Sequence, residues 1–237
     1  MQRYPESTSR FVRSHLPLAS RPSSPPTIFL VDDDSSFLSS LARLCRASGF
    51  VVSAFSSAAD FLAQRPPEAP GCVVADLQMP DMNGLELQEA LARSDNPLPI
   101  VFLTGQGDIP SSVKAMRHGA EDFLTKCAPR EELLAAVERA LARDVRDREE
   151  RTRRRELRAR FDKLTPRERE VLSHVLRGQL NKQIAADLGV AERSVKRHRT
   201  SLMGKLEVES VAQLAQLAAE AGMGGELTHV DSRGTRV

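Results

Sequence analysis

Asp32, Asp33 and Asp34 follow directly on the apolar run Ile28-Phe29-Leu30-Val31, and Asp76 follows Cys72-Val73-Val74-Ala75. Thr104 closes Ile100-Val101-Phe102-Leu103, and Lys126 stands just after Phe123-Leu124. Continuous apolar runs of this kind read as strands of a parallel sheet covered on both faces. In such a sheet ligands bind beyond the C-terminal ends of the strands, so these polar groups should converge on one edge. Crowded carboxylates with a backbone carbonyl and waters form a hard oxygen site of the kind Mg²⁺ prefers. With a divalent cation to neutralise the approach, one carboxylate can attack a phosphoryl donor and become an aspartyl phosphate. Lys126 offers a positive charge to one phosphoryl oxygen and Thr104 a hydroxyl to another. Taken singly, Lys126 is a surface lysine and Thr104 a β-branched strand end; their joint placement points to a site.

A second chemistry lies in residues 192–206. Arg193, Lys196, Arg197 and Thr200 fall at i, i+3, i+4 and i+7, one face of a helix, while Val195, His198, Leu202 and Leu206 take the other. One face packs and the other carries positive charge and hydrogen-bonding groups, which suits a major groove of double-stranded DNA. Alone, a basic amphipathic helix is an ordinary surface helix. Here a short segment with Ile184, Ala185 and Leu188, ending at Gly189, precedes it and supplies the first half of a helix-turn-helix.

The elements that must position these groups are legible in outline. Residues 1–26 are rich in Ser, Pro and Arg without apolar period and read as a disordered leader. Over 27–142 five apolar runs, the second being Val51–Phe55, alternate with helix-period segments such as Phe37, Leu41, Leu44 and Cys45, or Leu133, Val137, Ala140 and Leu141. This βα alternation implies an α/β doubly wound five-stranded parallel sheet. Residues 143–160 are almost entirely charged, with mixed signs that suit a solvent-exposed helical linker able to continue the preceding helix. A small all-α domain is expected over 161–221 and a flexible tail over 222–237. Thr165-Pro166-Arg167-Glu168 forms a capping box with proline at the first helical position, Gly178 ends that helix, Asn181 caps the next, and a last helix runs from Ser210 to about Ala221.

Composition limits the alternatives. No apolar stretch reaches the roughly 20 residues a membrane helix needs, and no secretory signal is evident, so a cytoplasmic protein without membrane partners is expected. Cys45, Cys72 and Cys127 are odd in number and widely spaced, which indicates neither a disulfide framework nor a zinc site. The net charge of +2 conceals a division: acids exceed bases over 27–142, and bases exceed acids over 143–160 and 161–221. Such asymmetry fits one cation-binding and one polyanion-binding domain.

Val31-Asp32-Asp33-Asp34, Asp76-Leu77-Gln78-Met79-Pro80-Asp81-Met82-Asn83-Gly84, Leu103-Thr104-Gly105 and Phe123-Leu124-Thr125-Lys126 resemble the receiver domain of two-component response regulators, a flavodoxin-like fold. The resemblance implies that a sensor histidine kinase phosphorylates Asp76, and that Asp33, Asp32, Asp76 and the backbone carbonyl of Gln78 hold Mg²⁺. It also makes Thr104 and Phe123 the switch pair and Lys126 the phosphoryl-binding cation. Family members usually carry proline after that lysine, where this chain has Cys127.

Leu164–Leu172, Asn181-Lys182-Gln183-Ile184-Ala185, Ser194-Val195-Lys196-Arg197-His198 and Lys205-Leu206 resemble the LuxR-type helix-turn-helix. Together the two resemblances identify the chain as a member of the FixJ/NarL group of response regulators. They imply a transcription factor that dimerises when Asp76 is phosphorylated, binds DNA sequence-specifically and meets RNA polymerase. Lys196, Arg197 and Thr200 would face bases, with Arg193 on the same face. Lys182, Arg199 and Lys205 would meet phosphates, and the helix with Val211 and Leu214 would be the dimer surface. Such a protein is not an enzyme beyond accepting, and at most releasing, its own phosphoryl group.

Two alternatives stand beside this. Asp32-Asp33-Asp34-Ser35 also resembles the first motif of haloacid-dehalogenase-like phosphatases, with Asp32 as nucleophile, Asp34 as acid/base, and Thr104 and Lys126 in the later motifs. Residues 127–130 lack the carboxylates such an enzyme needs, and Asp76 would be left without a role. The other is a receiver that has lost phosphotransfer and serves as a phosphorylation-independent DNA-binding module; intact Asp33, Asp76, Thr104 and Lys126 speak against it.

Overall fold

The computed structural model describes residues 25–105 and 109–223. The expected leader and tail therefore fall almost wholly outside the described residues. The chain divides into two compact units, Met1–Asp147 and Arg148–Val237, each with its own core.

In the first unit five parallel strands, β1 (Thr27–Val31), β2 (Val51–Phe55), β3 (Gly71–Ala75), β4 (Ile100–Thr104) and β5 (Asp122–Thr125), lie in the order β2-β1-β3-β4-β5. This is the doubly wound sheet expected. Alternate residues of a strand point to opposite faces, so β1 feeds two cores. Ile28 and Leu30 pack with α1 (Ser35–Ala47) and the start of α5 (Arg130–Asp162). Phe29 and Val31 pack with α2 (Ala58–Gln64), α3 (Gly84–Ala92) and α4 (Ile109–Arg117). The strand order reverses between β1 and β3, and there the register pairs Val31 with Ala75. Asp32 and Asp76 are the next residue on each strand, so the register alone sets them side by side.

The second unit is all helical: the end of α5, then α6 (Pro166–Leu176), α7 (Asn181–Leu188), α8 (Glu192–Leu206) and α9 (Val211–Glu220). Its core gathers Leu157, Phe161, Val171, Leu172, Ile184, Val195, Leu202 and Leu214. Thr165 caps α6 with the full reciprocal box to Glu168, as its sequence predicts. Asn181 does not cap α7. Leu180 holds the cap position, and Asn181, one residue inside, accepts a bond from Arg199 Nη1 at 2.6 Å. The cap backbone N–H is instead served by Gln183 Oε1 at 2.8 Å.

The stretch 143–160 is more than an exposed linker. It belongs to one helix, α5, and it has the expected i,i+4 pair Arg154–Glu150 at 2.9 Å. Yet Asp144 is buried and accepts the Gly71 N–H at 2.8 Å, fastening the helix to the start of β3. Further along, Leu157 is buried in the second unit's core. A single anionic or apolar residue among many charges leaves little trace in a periodicity dominated by Arg and Glu.

Candidate functional site

The strand ends assemble the acidic cluster as the sequence implies. Carboxylate oxygens of Asp32, Asp33 and Asp76 lie within 4.8 Å of one another. Asp32 and Asp76 are buried and Asp33 is exposed, so the group opens to solvent on one side. Lys126 completes it from β5: its backbone N–H bonds to Thr104 O at 2.7 Å, one residue beyond the Thr104–Thr125 register pair. From there Nζ reaches Asp32 Oδ2 at 2.7 Å and Asp76 Oδ2 at 2.8 Å. The peptide bonds described are all trans, so Cys127 follows the lysine without a cis link and the ammonium still arrives at both carboxylates.

The cluster's electrostatics are divided. Burial pushes the Asp32 carboxyl above its usual range, against the bonds from Lys126 and the Asp34 N–H that pull it down. Burial pulls the Lys126 ammonium down, and its bonds to Asp32 and Asp76 outweigh this and hold it above the ordinary lysine value. Acidic oxygens held close against their mutual repulsion are a fit for a divalent cation, which prefers oxygen donors; Asp32, Asp33 and Asp76 are the side chains that would hold it.

Asp34 stands apart. Its carboxylate accepts the backbone N–H groups of Ser36 at 2.9 Å and Phe37 at 3.0 Å as the N-cap of α1, and these bonds hold its carboxyl below the usual range. A phosphatase acid/base would have to be free to exchange protons, and this carboxylate is occupied in capping. Gln78 donates its N–H to Asp76 Oδ1 at 3.3 Å, which fixes the loop next to the acceptor. Gly84 brings α3 close beneath: a Cβ there would meet Asp76 O at 2.6 Å and Phe102 Cε1 at 2.8 Å. Thr104 is buried, and Phe123 is half-buried with its ring 6.1 Å from that of Phe102. Cys45 and Cys72 are buried thiols pushed up by burial, Cys45 to about 11, and take no part.

In the second unit α8 carries Arg193, Lys196, Arg197 and Thr200 exposed on one face, with Val195, Leu202 and Leu206 buried on the other and His198 half-buried between. The helix begins at Ala191 without a side-chain cap. Lys182 is exposed at the start of α7. Arg199 is committed to Asn181, and Lys205 to Glu168 Oε2 at 2.7 Å, so the second of these works first within the protein. Glu168 does more than its capping motif announces: it also accepts Ser201 Oγ at 2.7 Å, tying α6 to the recognition helix. The periodicity of α8 carries no signal of this, since Ser201 and Lys205 sit between its two faces. On α9, Leu214 is fully buried in the core, and the face open to a partner contains Val211.

Among the described residues no helix is long and apolar enough to cross a membrane. The model of the response regulator receiver domain matches residues 28–138, and that of the bacterial regulatory proteins of the luxR family matches 162–218. The response regulator protein TodT of Pseudomonas putida is 42% identical over 190 residues, covering 80% of this chain and 84% of TodT. The transcriptional regulatory protein FixJ of Rhizobium meliloti is 38% identical over 198 residues, covering 84% of this chain and 97% of FixJ. Among solved structures, the response regulator StyR aligns with a TM-score of 0.65 at 46% identity, covering 83% of this chain and all of that one (100%). The chain belongs to the response regulators that join a receiver domain to a LuxR-family DNA-binding domain, and it is a FixJ-like regulator of transcription.

Proposed function

We propose that Asp76 is the phosphoacceptor through which a partner histidine kinase controls this regulator. The observation that carries the reading is the cluster of Asp32, Asp33 and Asp76 oxygens within 4.8 Å, with the Lys126 ammonium 2.8 Å from the acceptor. A carboxylate oxygen of Asp76 attacks the phosphorus of the kinase's phosphohistidine. The P–N bond breaks, its electron pair returns to the imidazole, and that nitrogen takes up a proton. Asp32, Asp33, Asp76 and the Gln78 carbonyl would hold Mg²⁺, which would supply the positive charge that lets two anions meet. Lys126 binds one phosphoryl oxygen and the Thr104 hydroxyl a second, and Phe123 turns into the space Thr104 vacates. Incubation with Mg²⁺ and a small phosphodonor, followed by intact-mass measurement and DNA binding, tests the scheme.

Phosphorylation then acts through dimerisation. Val113 and Met116 are exposed apolar side chains on α4, at 43% and 48%, beside the cationic Lys114 and Arg117. They supply an apolar surface for a second copy, and α4 adjoins β5, whose end presents Lys126. Two linked recognition helices reach half-sites about 10 bp apart, and joining two weak sites raises avidity without new base contacts. Sedimentation with and without phosphodonor should show monomer passing to dimer as DNA affinity rises. Unchanged mass with rising affinity would instead mean that the receiver masks Lys196 and Arg197 within one chain.

The exposed face of α8 supports base reading by Arg193, Lys196, Arg197 and Thr200. Replacing Lys196 or Arg197 by Ala should cost about 1–3 kcal/mol and relax base preference. Lys182→Ala should weaken all sequences alike and reduce the salt slope by about 1. Equal losses on specific and random DNA for all three variants would put another face in the groove. Arg199 and Lys205 contact phosphate only if DNA recruits them away from Asn181 and Glu168. RNA polymerase is the further partner that a DNA-bound regulator meets, and binding assays on promoter complexes test it.

A further inference from the structure

We propose that Phe37 is a positioning residue for phosphoryl transfer, holding the Lys126 ammonium on its ring face when the reaction removes the carboxylates that hold it beforehand. The inference rests on the reading of Asp76 as phosphoacceptor. Nζ of Lys126 lies 4.6 Å from the centroid of the Phe37 ring, within the range at which a cation is attracted to an aromatic face. The lysine side chain is only 18% exposed, so water screens that attraction incompletely.

Three groups thus hold the ammonium: Asp32 Oδ2, Asp76 Oδ2 and the ring. Chemistry alters two of them. Asp76 exchanges its negative charge for an acyl-phosphate bond, and Asp32 turns its charge to the divalent cation. The ring is unchanged throughout. It is also well placed to serve as the fixed point, because Asp34 pins the Phe37 N–H at 3.0 Å in capping α1. The acidic triplet therefore supplies cation ligands and also fixes the backbone that carries the ring.

Between leaving its carboxylates and settling on the phosphoryl oxygen, the ammonium has somewhere else to go. Phe37, Leu44, Leu103, Ala128 and Lys126 itself line an open cleft beside the site. Cys127 carries no ring to stiffen the backbone after the lysine. Lys126 relies on its N–H bond to Thr104 O and on the turn closed by Ala128 N–H to Thr125 O at 2.9 Å. Those bonds fix the main chain and leave four side-chain torsions unrestrained. Phe37 also packs against the core beneath α1, so its structural and positioning roles must be separated by experiment.

The test uses the full chain with Mg²⁺ and acetyl phosphate, following the rate of phosphoprotein formation by intact mass across donor concentrations. Phe37→Leu keeps an apolar side chain without a π face, and Phe37→Tyr keeps the face. Phe37→Leu should lower the rate at saturating donor about threefold to tenfold, and Phe37→Tyr should stay within about twofold of the unaltered chain. A second readout is the Lys126 ε-methylene proton resonance. It should lie upfield through the ring current in the unaltered chain and in Phe37→Tyr, both before and after phosphorylation, and lose that shift in Phe37→Leu. Equal slowing of both variants, or no slowing in Phe37→Leu, overturns the proposal. So does loss of the upfield shift on phosphorylation of the unaltered chain. If the unaltered chain takes up no phosphoryl group on Asp76, the reading of the site itself falls, and the two failures are thereby distinguished.

Discussion

Asp76→Asn should take up no phosphoryl group from kinase or small donor, a loss on the order of 10³-fold or more, while the receiver keeps its fold. The amide has nearly the volume of the carboxylate and can still accept the Gln78 N–H, but its oxygen is not a nucleophile. The substitution also removes one of three negative charges whose oxygens lie within 4.8 Å. Relief of that repulsion works against the loss of the Lys126–Asp76 bond, so stability should stay within about 1 kcal/mol of the unaltered chain. Intact-mass measurement after incubation with phosphodonor and Mg²⁺ reads the first effect, and thermal unfolding reads the second. Asp32→Asn is the companion variant. It should weaken Mg²⁺ dependence and slow uptake while leaving Asp76 the modified residue. Phosphorylation that persists in Asp76→Asn and vanishes in Asp32→Asn would restore the phosphatase-like chemistry, against the present engagement of Asp34 in capping α1.

The receiver site was legible because parallel strands bury both faces and end in polar groups. Val31-Asp32 and Ala75-Asp76 announce strand ends by composition alone, and register then places the two acids together. What sequence could not supply was reach. Nothing in Thr125-Lys126-Cys127 says that the ammonium bridges Asp32 and Asp76, or that Phe37, read only as a core position of α1, lies beneath it. In the second unit the amphipathic face of α8 was readable from its 3.6-residue period, but the partners of residues at its borders were not. Arg199 and Lys205 read as phosphate contacts by resemblance, and both are bonded to groups from other helices. The helix with Val211 and Leu214 read as dimer surface by resemblance; of the two, Leu214 turns into the core and Val211 stays exposed. The error at Asn181 was of one residue: a side chain suited to capping sits just inside the helix and serves α8 instead.

Glu168→Ala should destabilise the DNA-binding domain by about 2–4 kcal/mol, a large share of the roughly 5 kcal/mol available to a domain of this size. The side chain is 5% exposed and joins the N-terminus of α6 to two residues of α8. One oxygen receives the Thr165 N–H at 2.8 Å and Lys205 Nζ at 2.7 Å, and the other receives Ser201 Oγ. Truncation leaves the α6 N-terminus half-capped and strips Lys205 of its counter-charge. The lysine is itself 36% exposed and recovers some hydration, which keeps the loss below that of a fully buried pair. Burial alone would raise the Glu168 carboxyl; the bonds from Lys205, Ser201 and Thr165 prevail and hold it at about 2, below the ordinary 4.5. A carboxyl depressed in the folded state stabilises that state above the unfolded value and loses the contribution as pH falls from 4.5 toward 2. Hydrogen exchange on the full chain should therefore show α6 and α8 amides losing protection in Glu168→Ala at neutral pH, and losing it in the unaltered chain only as acid approaches the lower value. Glu168→Gln keeps the shape and the acceptor for Thr165 but not the charge, and should fall between the two. Because Ser201 and Lys205 belong to the recognition helix, the same loss should weaken specific DNA binding without any change to an exposed residue of α8. Undiminished protection and full DNA affinity in Glu168→Ala would show that apolar packing by Val195, Leu202 and Leu206 alone sets the pose of that helix.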